Sequence, residues 1–405
     1  MTRGFFCLLL LWLAAQVQAQ VSEAVLVVRS GPDSGFRLPA NTGFAESTVA
    51  LNDQSQLAIR ISSLPPQSQR GIWLGNTTQG EVVATGNGDW LFSDVGLNNI
   101  GRVVWVQSFS ANDGIYQYDP VSDLSFFLTT DPFGSSGWGS VQINQNNQLG
   151  YRASFANGRV WTSWAMVGGT QFHAIETGLD PQEPYAFLFT PAFNNQRQIA
   201  GKARLGGLEE FRPDQILITE AGQQVSIVAE DTDSDAASPF AGFDNSVAVN
   251  DDGAVAFVAN IAGATSRGVF RVNADAVVEL GRENTGPLGD IEFFAVAMNN
   301  SGKVVFRAFD DQGRRAIWLG QGPGTPQRLI GEDDLVMTDI GPARIQSPTG
   351  GPVFSGGVAI NNLDEVAFTA VLTEPDNSSA LVGLGSFILP PPAELIFSDG
   401  FEDAP

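Results

Sequence analysis

The sequence predicts an all-β fold, a seven-bladed β-propeller made of four-stranded antiparallel blades. Three observations predict it: a turn motif that recurs seven times, short apolar runs at regular offsets after each copy, and an N-terminal run that can supply a strand missing from the last copy. The 405-residue chain contains 45 glycines and 28 phenylalanines. This composition is typical of short apolar strands joined by many turns.

Each copy of the motif places an asparagine between two apolar runs, as in VAVNDDGAVAFV from Val247 and VAMNNSGKVVFR from Val296. The spacings between successive anchoring asparagines are, by subtraction, 46, 46, 50, 56, 49 and 62 residues. A unit of about 50 residues matches what four short strands and their turns require. The seven anchoring asparagines are Asn52, Asn98, Asn144, Asn194, Asn250, Asn299 and Asn361.

The residues around each asparagine predict a β-hairpin. The preceding residue is apolar in every copy, and the third residue after the asparagine is Gly, Asn or Asp in five copies. Those residue types accept a positive φ at low cost, and they suit a tight turn between two strands. The five residues are Gly101, Asn147, Gly253, Gly302 and Asp364.

Later runs complete each unit, for example RGIWLG from Arg70 followed by EVVATG from Glu81. The seventh unit ends with ALVGL from Ala380 and lacks a fourth run, whereas AVLVVRSG from Ala24 resembles the fourth runs elsewhere. Pairing of these two segments closes the ring and leaves no exposed edge. A ring of six or eight blades and an open β-solenoid are the alternatives.

The copies VAVNDDGAVAF and VAMNNSGKVVF resemble the secreted bacterial tandem-repeat proteins defined by an NxxGxxAF repeat, whose C-terminal anchoring segment varies. The resemblance covers roughly residues 49–368, and units three, four and seven depart from the motif at the glycine. It implies an exported, propeller-like protein, and it supplies no catalytic residues.

The ends of the chain predict export. Residues 1–19 have the features of a signal peptide: Arg3, an apolar run over residues 5–15, and small residues before Gln20. An uncleaved N-terminal anchor is the alternative. Cys7 is the only cysteine, so a cleaved chain contains neither a thiol nor a disulfide. The predicted location is outside a Gram-negative bacterium, secreted or at the cell surface.

The remaining chain divides into a single propeller domain over residues 20–388 and a C-terminal segment over residues 389–405. That segment begins with a Pro-rich spacer and contains IFSDGFE, which is either a sorting or surface tag or a plain tail.

The formal net charge of −23 opposes binding to nucleic acid or to anionic lipid. After residue 19, no run approaches the roughly 18 apolar residues of a membrane-spanning helix. The predicted partner is therefore an extracellular polymer or protein of unknown identity, and the chain is predicted to be a monomer.

Few residues carry a signal of chemistry. His173 is the only histidine, and neither Ser154 nor Ser163 lies in a G-x-S-x-G context. A histidine on a strand surface is therefore favoured over a catalytic one.

A cofactor is not required by any motif. The alternate carboxylates of Asp231, Asp233 and Asp235 could converge on calcium, although the glycine and glutamate of a complete calcium loop are missing. The alternative for these three residues is a solvated acidic loop.

Aromatic residues occur in the connections between units, among them Trp90, Trp138, Tyr185 and Phe240. These four are the predicted ligand contacts on the face that carries the long connections, and the alternative is that they fill gaps between blades. The sequence therefore predicts a non-enzymatic binding or scaffolding protein. A carboxylate-dependent glycan-active enzyme and a surface spacer without a ligand are the alternatives.

Overall fold

The computed structural model describes residues 22–32, 35–45, 48–63, 69–86, 91–110, 112–129, 135–206, 213–220, 225–274 and 276–392. Within these ranges the chain forms 34 strands and no helix. The strands assemble into seven antiparallel sheets, which confirms the predicted seven-bladed propeller. The predicted signal peptide, Trp90 and most of the C-terminal segment lie outside the described residues.

Six blades are continuous in sequence, and the seventh combines both ends of the chain. The N-terminal strand is β1 (Val25–Ser30). Blade 1 contains β2 (Thr42–Phe44), β3 (Ala50–Leu51), β4 (Leu57–Ser63), β5 (Arg70–Gly75) and β6 (Gly80–Gly86). Blade 2 contains β7 (Leu91–Phe92), β8 (Gly96–Leu97), β9 (Val103–Ser108), β10 (Gly114–Asp119) and β11 (Leu124–Thr129). Blade 3 contains β12 (Gly137–Ile143), β13 (Leu149–Phe155), β14 (Gly158–Ala165) and β15 (Gly169–Ile175).

Blade 4 contains β16 (Tyr185–Leu188), β17 (Ala192–Phe193), β18 (Gln198–Leu205), β19 (Asp214–Glu220) and β20 (Ser226–Glu230). Blade 5 contains β21 (Phe240–Val249), β22 (Val255–Ile261), β23 (Arg267–Asn273) and β24 (Ala276–Arg282). Blade 6 contains β25 (Leu288–Ile291), β26 (Ala297–Met298), β27 (Val304–Asp310), β28 (Arg315–Gly320) and β29 (Gln327–Gly331). Blade 7 contains β30 (Leu335–Thr338), β31 (Gly341–Ile345), β32 (Phe354–Ile360), β33 (Val366–Glu374) and β34 (Asn377–Leu389), and β1 joins it.

The long interval before Asn361 contains an added hairpin and not an eighth blade. Strand β30 pairs with β31, and β31 pairs with the far end of β33 within the same sheet. The 62-residue spacing, obtained by subtraction of 299 from 361, is therefore an insertion within the seventh blade.

The N-terminal strand completes the seventh blade as predicted. Strand β1 pairs antiparallel with β34, from Val25 opposite Ile388 to Ser30 opposite Leu384. The guanidinium of Arg29 is fully buried and binds both carboxylate oxygens of Asp339, at 2.7 and 3.0 Å. The two ends of the chain are thus joined by a β-ladder and by a bidentate ion pair, which is the strong geometry for arginine and carboxylate.

The seven turns share one geometry, which explains the motif. The main-chain N–H of each anchoring asparagine donates to the carbonyl four residues later, and the third residue after it has a positive φ. Ser55 (φ 54°) and Arg197 (φ 63°) adopt this conformation as well, although neither is a residue type that favours it. The hydrogen bonds of the turn therefore determine its conformation. Glycine at the third position only lowers the energetic cost of the positive φ.

The apolar core lies between neighbouring blades. Val27, Val28 and Ile388 of blade 7 pack against Leu57 and Trp73 of blade 1. Equivalent clusters occupy the other interfaces, so each sheet buries both of its faces. The fold therefore depends on every blade having a neighbour on each side.

Strand β1 offers a matched test of closure. Val27 is fully buried at the interface with blade 1, whereas Val25 is 46% exposed on the same strand. We expect Val27→Lys to lower the free energy of unfolding by about 3 kcal/mol or more, because a buried ammonium lacks solvation. Val25→Lys should change it by less than about 0.5 kcal/mol. Equal urea midpoints for the two variants would contradict closure through β1.

Candidate functional site

The propeller presents two faces. The turn face carries the seven turns that follow the anchoring asparagines, and the crossing face carries the segments that lead from one blade to the next, such as residues 176–184 and 283–287. All seven turns border one depression of about 240 Å³ at the mouth of the central channel. The apolar residues that precede the asparagines also line this depression, namely Leu51, Leu97, Ile143, Phe193, Val249, Met298 and Ile360.

The anchoring asparagines form a closed ring of hydrogen bonds around this depression. The Nδ2 group of each donates to a main-chain carbonyl of the next blade, and six of the seven bonds reach the next anchoring asparagine at 2.8–3.3 Å. The seventh, from Asn250, reaches the carbonyl of Asn300 at 3.5 Å. The bond from Asn361 to Asn52 joins the last blade to the first.

A second ring lies on the residues that directly follow the asparagines. The main-chain N–H of each donates to the side-chain oxygen of the equivalent residue in the next blade, at 2.8–3.0 Å in all seven cases. In every case the acceptor is an amide or carboxylate oxygen. The members are Asp53, Asn99, Gln145, Asn195, Asp251, Asn300 and Asn362.

The two carboxylates of the second ring are engaged by their neighbours. Asp53 accepts from the amides of Asn99 and Asn362 at 2.7 and 3.0 Å, and Asp251 accepts from Asn195 and Asn300 at 2.8 and 2.6 Å. These hydrogen bonds link neighbouring blades, so the residues of the turn face hold the ring of blades together. Sequence reasoning missed this ring, although an Asn, Asp or Gln after every anchoring asparagine was a visible signal.

A substitution at Asn194 measures how much the first ring contributes to the free energy of unfolding. Its Nδ2 group donates to the carbonyl of Asn250 and to Oε1 of Gln198, both at 2.8 Å. In Asn194→Asp an oxygen would face two acceptors, so we expect a loss of roughly 2–4 kcal/mol in the free energy of unfolding. The exposed Asn112→Asp is the control, and a similar loss there in urea unfolding would contradict the assignment.

The crossing face contains two depressions of similar size and build. The first, of about 560 Å³, lies between blades 5 and 6 and includes Arg267, Glu283 and Phe293. The ring of Phe293 is 80% exposed and lies 3.9 Å from the guanidinium carbon of Arg267. Glu283 accepts from the main-chain N–H of Arg267 at 2.7 Å and from that of Ile291 at 2.9 Å, which fixes the arginine beneath the ring.

The second depression, of about 580 Å³, lies between blades 3 and 4. Here Phe187 lies 3.9 Å from the guanidinium carbon of Arg159. Glu176 accepts from the main-chain N–H of Arg159 at 3.0 Å and from that of Leu188 at 2.7 Å. The arginine, glutamate and phenylalanine thus repeat the arrangement of the first depression, two blades away.

A second basic residue lies against a second phenylalanine ring near each depression. Lys202 lies 4.1 Å from the ring of Phe189, and Arg307 lies 3.7 Å from that of Phe294. Lys202 also donates to the carbonyl of Phe243 in the next blade at 2.9 Å. Burial lowers the pKa of Lys202, and burial raises the pKa of nearby Asp244 despite its contact with Arg267.

The three glutamates that line these depressions accept hydrogen bonds, and the exposed Asp290 also lines the first depression. Both oxygens of Glu176 and of Glu283 accept main-chain N–H groups, and Glu292 binds Arg307 at 2.8 Å and Arg315 at 3.2 Å. Groups held in this way stabilise the crossing segments. The arrangement is one of aromatic rings supported by guanidinium groups, which suits binding.

Two of the four predicted aromatic contacts are part of the core. Tyr185 and Phe240 are buried, and Phe240 packs edge-on against Phe257 and Phe270, so neither offers a surface to a ligand. Trp138 is half-buried against the core between blades 2 and 3. Trp90 lies outside the described residues. Phe293, which also lies in a connection between blades, is 80% exposed.

Asp231, Asp233 and Asp235 do not form a preformed cluster. Asp231 is buried, and its carboxylate accepts the N–H groups of Asp214, Asp233 and Ser234 at 2.8, 3.2 and 3.1 Å. It occupies the position that Glu176 and Glu283 occupy in other blades. Within the described ranges no group of three or more His, Cys, Asp or Glu side chains is arranged to hold a metal ion. The calcium site stays a prediction.

His173 lies buried between blades 3 and 4 and not on a strand surface. Its Nδ1 is 3.4 Å from the carbonyl oxygen of Thr219, which can only accept, so Nε2 accepts from the Ser163 hydroxyl at 2.8 Å. The side chain of Ser163 is fully buried. The pair therefore links two blades and is closed to a substrate.

This environment predicts a pH-dependent stability. Burial lowers the pKa of His173 to about 4, against about 6.5 in the unfolded chain. Between these values the unfolded chain binds the proton and the folded chain does not, so stability falls as the pH drops from about 7 to 4, by roughly 3 kcal/mol. His173→Gln should remove this component from urea unfolding measured across that range. Parallel pH profiles for the two proteins would contradict the assignment.

The described part of the chain contains no helix with the length and apolar character needed to cross a bilayer. The fold, the ring of turns and the closing strand define a seven-bladed β-propeller. Residues 166–387 match the model of a family of unknown function, DUF7453, and the chain belongs to that family. No curated protein sequence matches the chain.

Two solved propellers show a similar fold at low identity. One is the β-propeller domain of the Trilobed protease from Pyrococcus furiosus, described as having an open velcro topology: 11% identity, 85% of this chain and 93% of that chain covered, TM-score 0.54. The other is the polysaccharide lyase Uly1: 8% identity, 91% and 98% covered, TM-score 0.50. These likenesses show the fold alone. Unlike an open propeller, this chain is closed by β1.

Proposed function

We propose that this protein is an exported, non-enzymatic binding protein that binds an extracellular polymer through its crossing face. The observation that supports the proposal is the repeated depression, in which Phe293 and Phe187 each lie on a guanidinium group. Because each depression places a phenylalanine ring on an arginine whose main chain is held by a glutamate, the two suit the same chemical unit. A ligand with repeating units can occupy both at once.

Export is the part of this proposal that rests on residues 1–19 and on the resemblance to NxxGxxAF-repeat proteins. Residues 1–19 lie outside the described residues, whereas the repeat on which the resemblance rests lies mostly within them. Both fit a chain whose fold is closed without disulfides. Cell fractionation of the full chain would test it, since a cytoplasmic protein would contradict export.

The hydrogen bonds of Glu176 and Glu283 support binding over hydrolysis. A glycoside hydrolase needs one carboxyl group free to donate a proton and a second free to attack or to activate water. Glu176 and Glu283 are each held by two main-chain N–H groups. The exposed Phe293 instead offers an apolar ring face, of the kind that contacts the apolar face of a sugar or a peptide side chain.

Affinity gel electrophoresis in soluble xylan, hydroxyethyl cellulose and alginate would test the proposal. We expect retardation in at least one polymer, and a loss of about tenfold in affinity for Phe293→Ala and for Phe187→Ala, because each removes one of two linked contacts. The double variant should bind more weakly than either. Leu363→Ala on the turn face, 52% exposed, is the control. Unchanged retardation of the double variant would overturn the proposal.

A further inference from the structure

The outermost strand of blade 2 differs from the other outer strands. Strand β11 exposes Leu124, Phe126 and Phe127 by 61, 40 and 40%. In the described residues, each other outer strand exposes at most one large apolar side chain, such as Ile227 on β20 or Val277 on β24. Folded proteins avoid apolar edge strands because such edges pair with other chains. The exposure on β11 therefore requires an explanation.

The edge of β11 is available for pairing. The sheet runs in the order β11-β10-β9, so β11 is terminal and pairs only with β10 among the described strands. One side-chain bond reaches the neighbouring blade, from the Ser125 hydroxyl to the carbonyl of Val83 at 2.5 Å. The outer main-chain groups of a terminal strand can accept an additional strand.

The ring of Phe127 at this edge is held in place by aromatic contacts within the blade. Phe127 packs edge-on against Tyr116 with ring centroids 5.4 Å apart, and Tyr116 stacks on Trp105 at 5.9 Å. Trp105 is buried between blades 1 and 2. The ring of Phe127 is thus anchored to the core, which reduces the entropy lost when a partner covers it.

The end of β11 that begins at Leu124 carries negative charge. Asp119 lies opposite Leu124 in the ladder, and the Tyr118 hydroxyl donates to Asp123 at 3.1 Å. Burial, this hydrogen bond and the charge of Glu81 raise the pKa of Tyr118 to about 12. Arg102 binds Asp119 at 3.2 Å and compensates the charge of this carboxylate. The remaining charge favours a basic residue on the partner and disfavours a second copy of this chain, whose net charge is −23.

We propose that β11 binds an extended segment of a partner protein, which adds a strand to blade 2 and carries alternating apolar side chains with a basic residue beside the Leu124 end. The main-chain pairing supplies sequence-independent affinity, and Leu124 and Phe126 select apolar side chains. The site is separate from the crossing face and does not depend on polymer binding.

Fluorescence anisotropy with a labelled peptide of alternating valine and threonine, ending in two lysines, would test the site. We expect binding by the full chain, and a loss of at least tenfold for Leu124→Lys and for Phe126→Lys. Ile227→Lys, on the equivalent outer strand of blade 4, should bind as the unchanged protein does. Asp123→Asn should weaken binding of this peptide by a few fold, with no effect on a peptide ending in two serines.

Thermal unfolding of each variant separates loss of binding from loss of fold, since Asp123→Asn and Ile227→Lys retain the core. No binding at millimolar peptide, or equal binding of a proline-substituted peptide that cannot pair, would overturn the proposal. A concentration-dependent dimer in analytical ultracentrifugation that Phe126→Lys abolishes would overturn it in favour of self-association.

Discussion

The amide of each anchoring asparagine performs two tasks that the rest of the fold depends on. Its oxygen accepts N–H groups within its own turn, as Asn194 does from Gln196 and Gln198 at 3.0 and 2.9 Å. Its nitrogen donates to the next blade. No other side chain of this length both accepts and donates from one planar group. Every turn is therefore both a hairpin and an inter-blade contact, and buried amides left without partners would be costly.

This constraint accounts for the shape of the repeat. The turns must be equivalent for the ring to close, so the strands beside them keep the same register in each blade. The outer segments are under no such requirement. The hairpin β30–β31, which lies away from the turns, lengthens blade 7 without changing the ring, because the bonds from Asn299 to Asn361 and from Asn361 to Asn52 remain.

The crossing segments follow a second rule, in which an acid after the outermost strand accepts a main-chain N–H from the start of the preceding strand of its blade. Glu176, Asp231 and Glu283 all occupy this position. For Glu176 and Glu283 the partner residue is arginine, and its guanidinium lies against a phenylalanine ring at a depression. In blade 4 the acid is Asp231 and its partner is Asp214. Asp214 has no guanidinium group, so Asp231 supports a turn and no aromatic ring.

Much of the fold could be predicted because the sequence repeats with the period of the blades. The anchoring asparagines and the apolar residue before each show this repeat, and the run from Ala24 supplies the strand that completes the last blade. The candidate site could not be predicted in the same way. Tyr185 and Phe293 occur in similar connections, yet Tyr185 is buried and Phe293 is exposed.

Sequence alone therefore determined the blade count, the turn positions and the closing strand, because these depend on local hydrogen bonding and on alternation along one chain. Only the tertiary structure decided which aromatic rings face solvent, that Ser163 meets His173, and that residues from seven turns form one ring. Those outcomes depend on contacts between blades. The residues in contact are about 50 positions apart in the chain, and packing selects which of them meet. A single sequence does not show this packing.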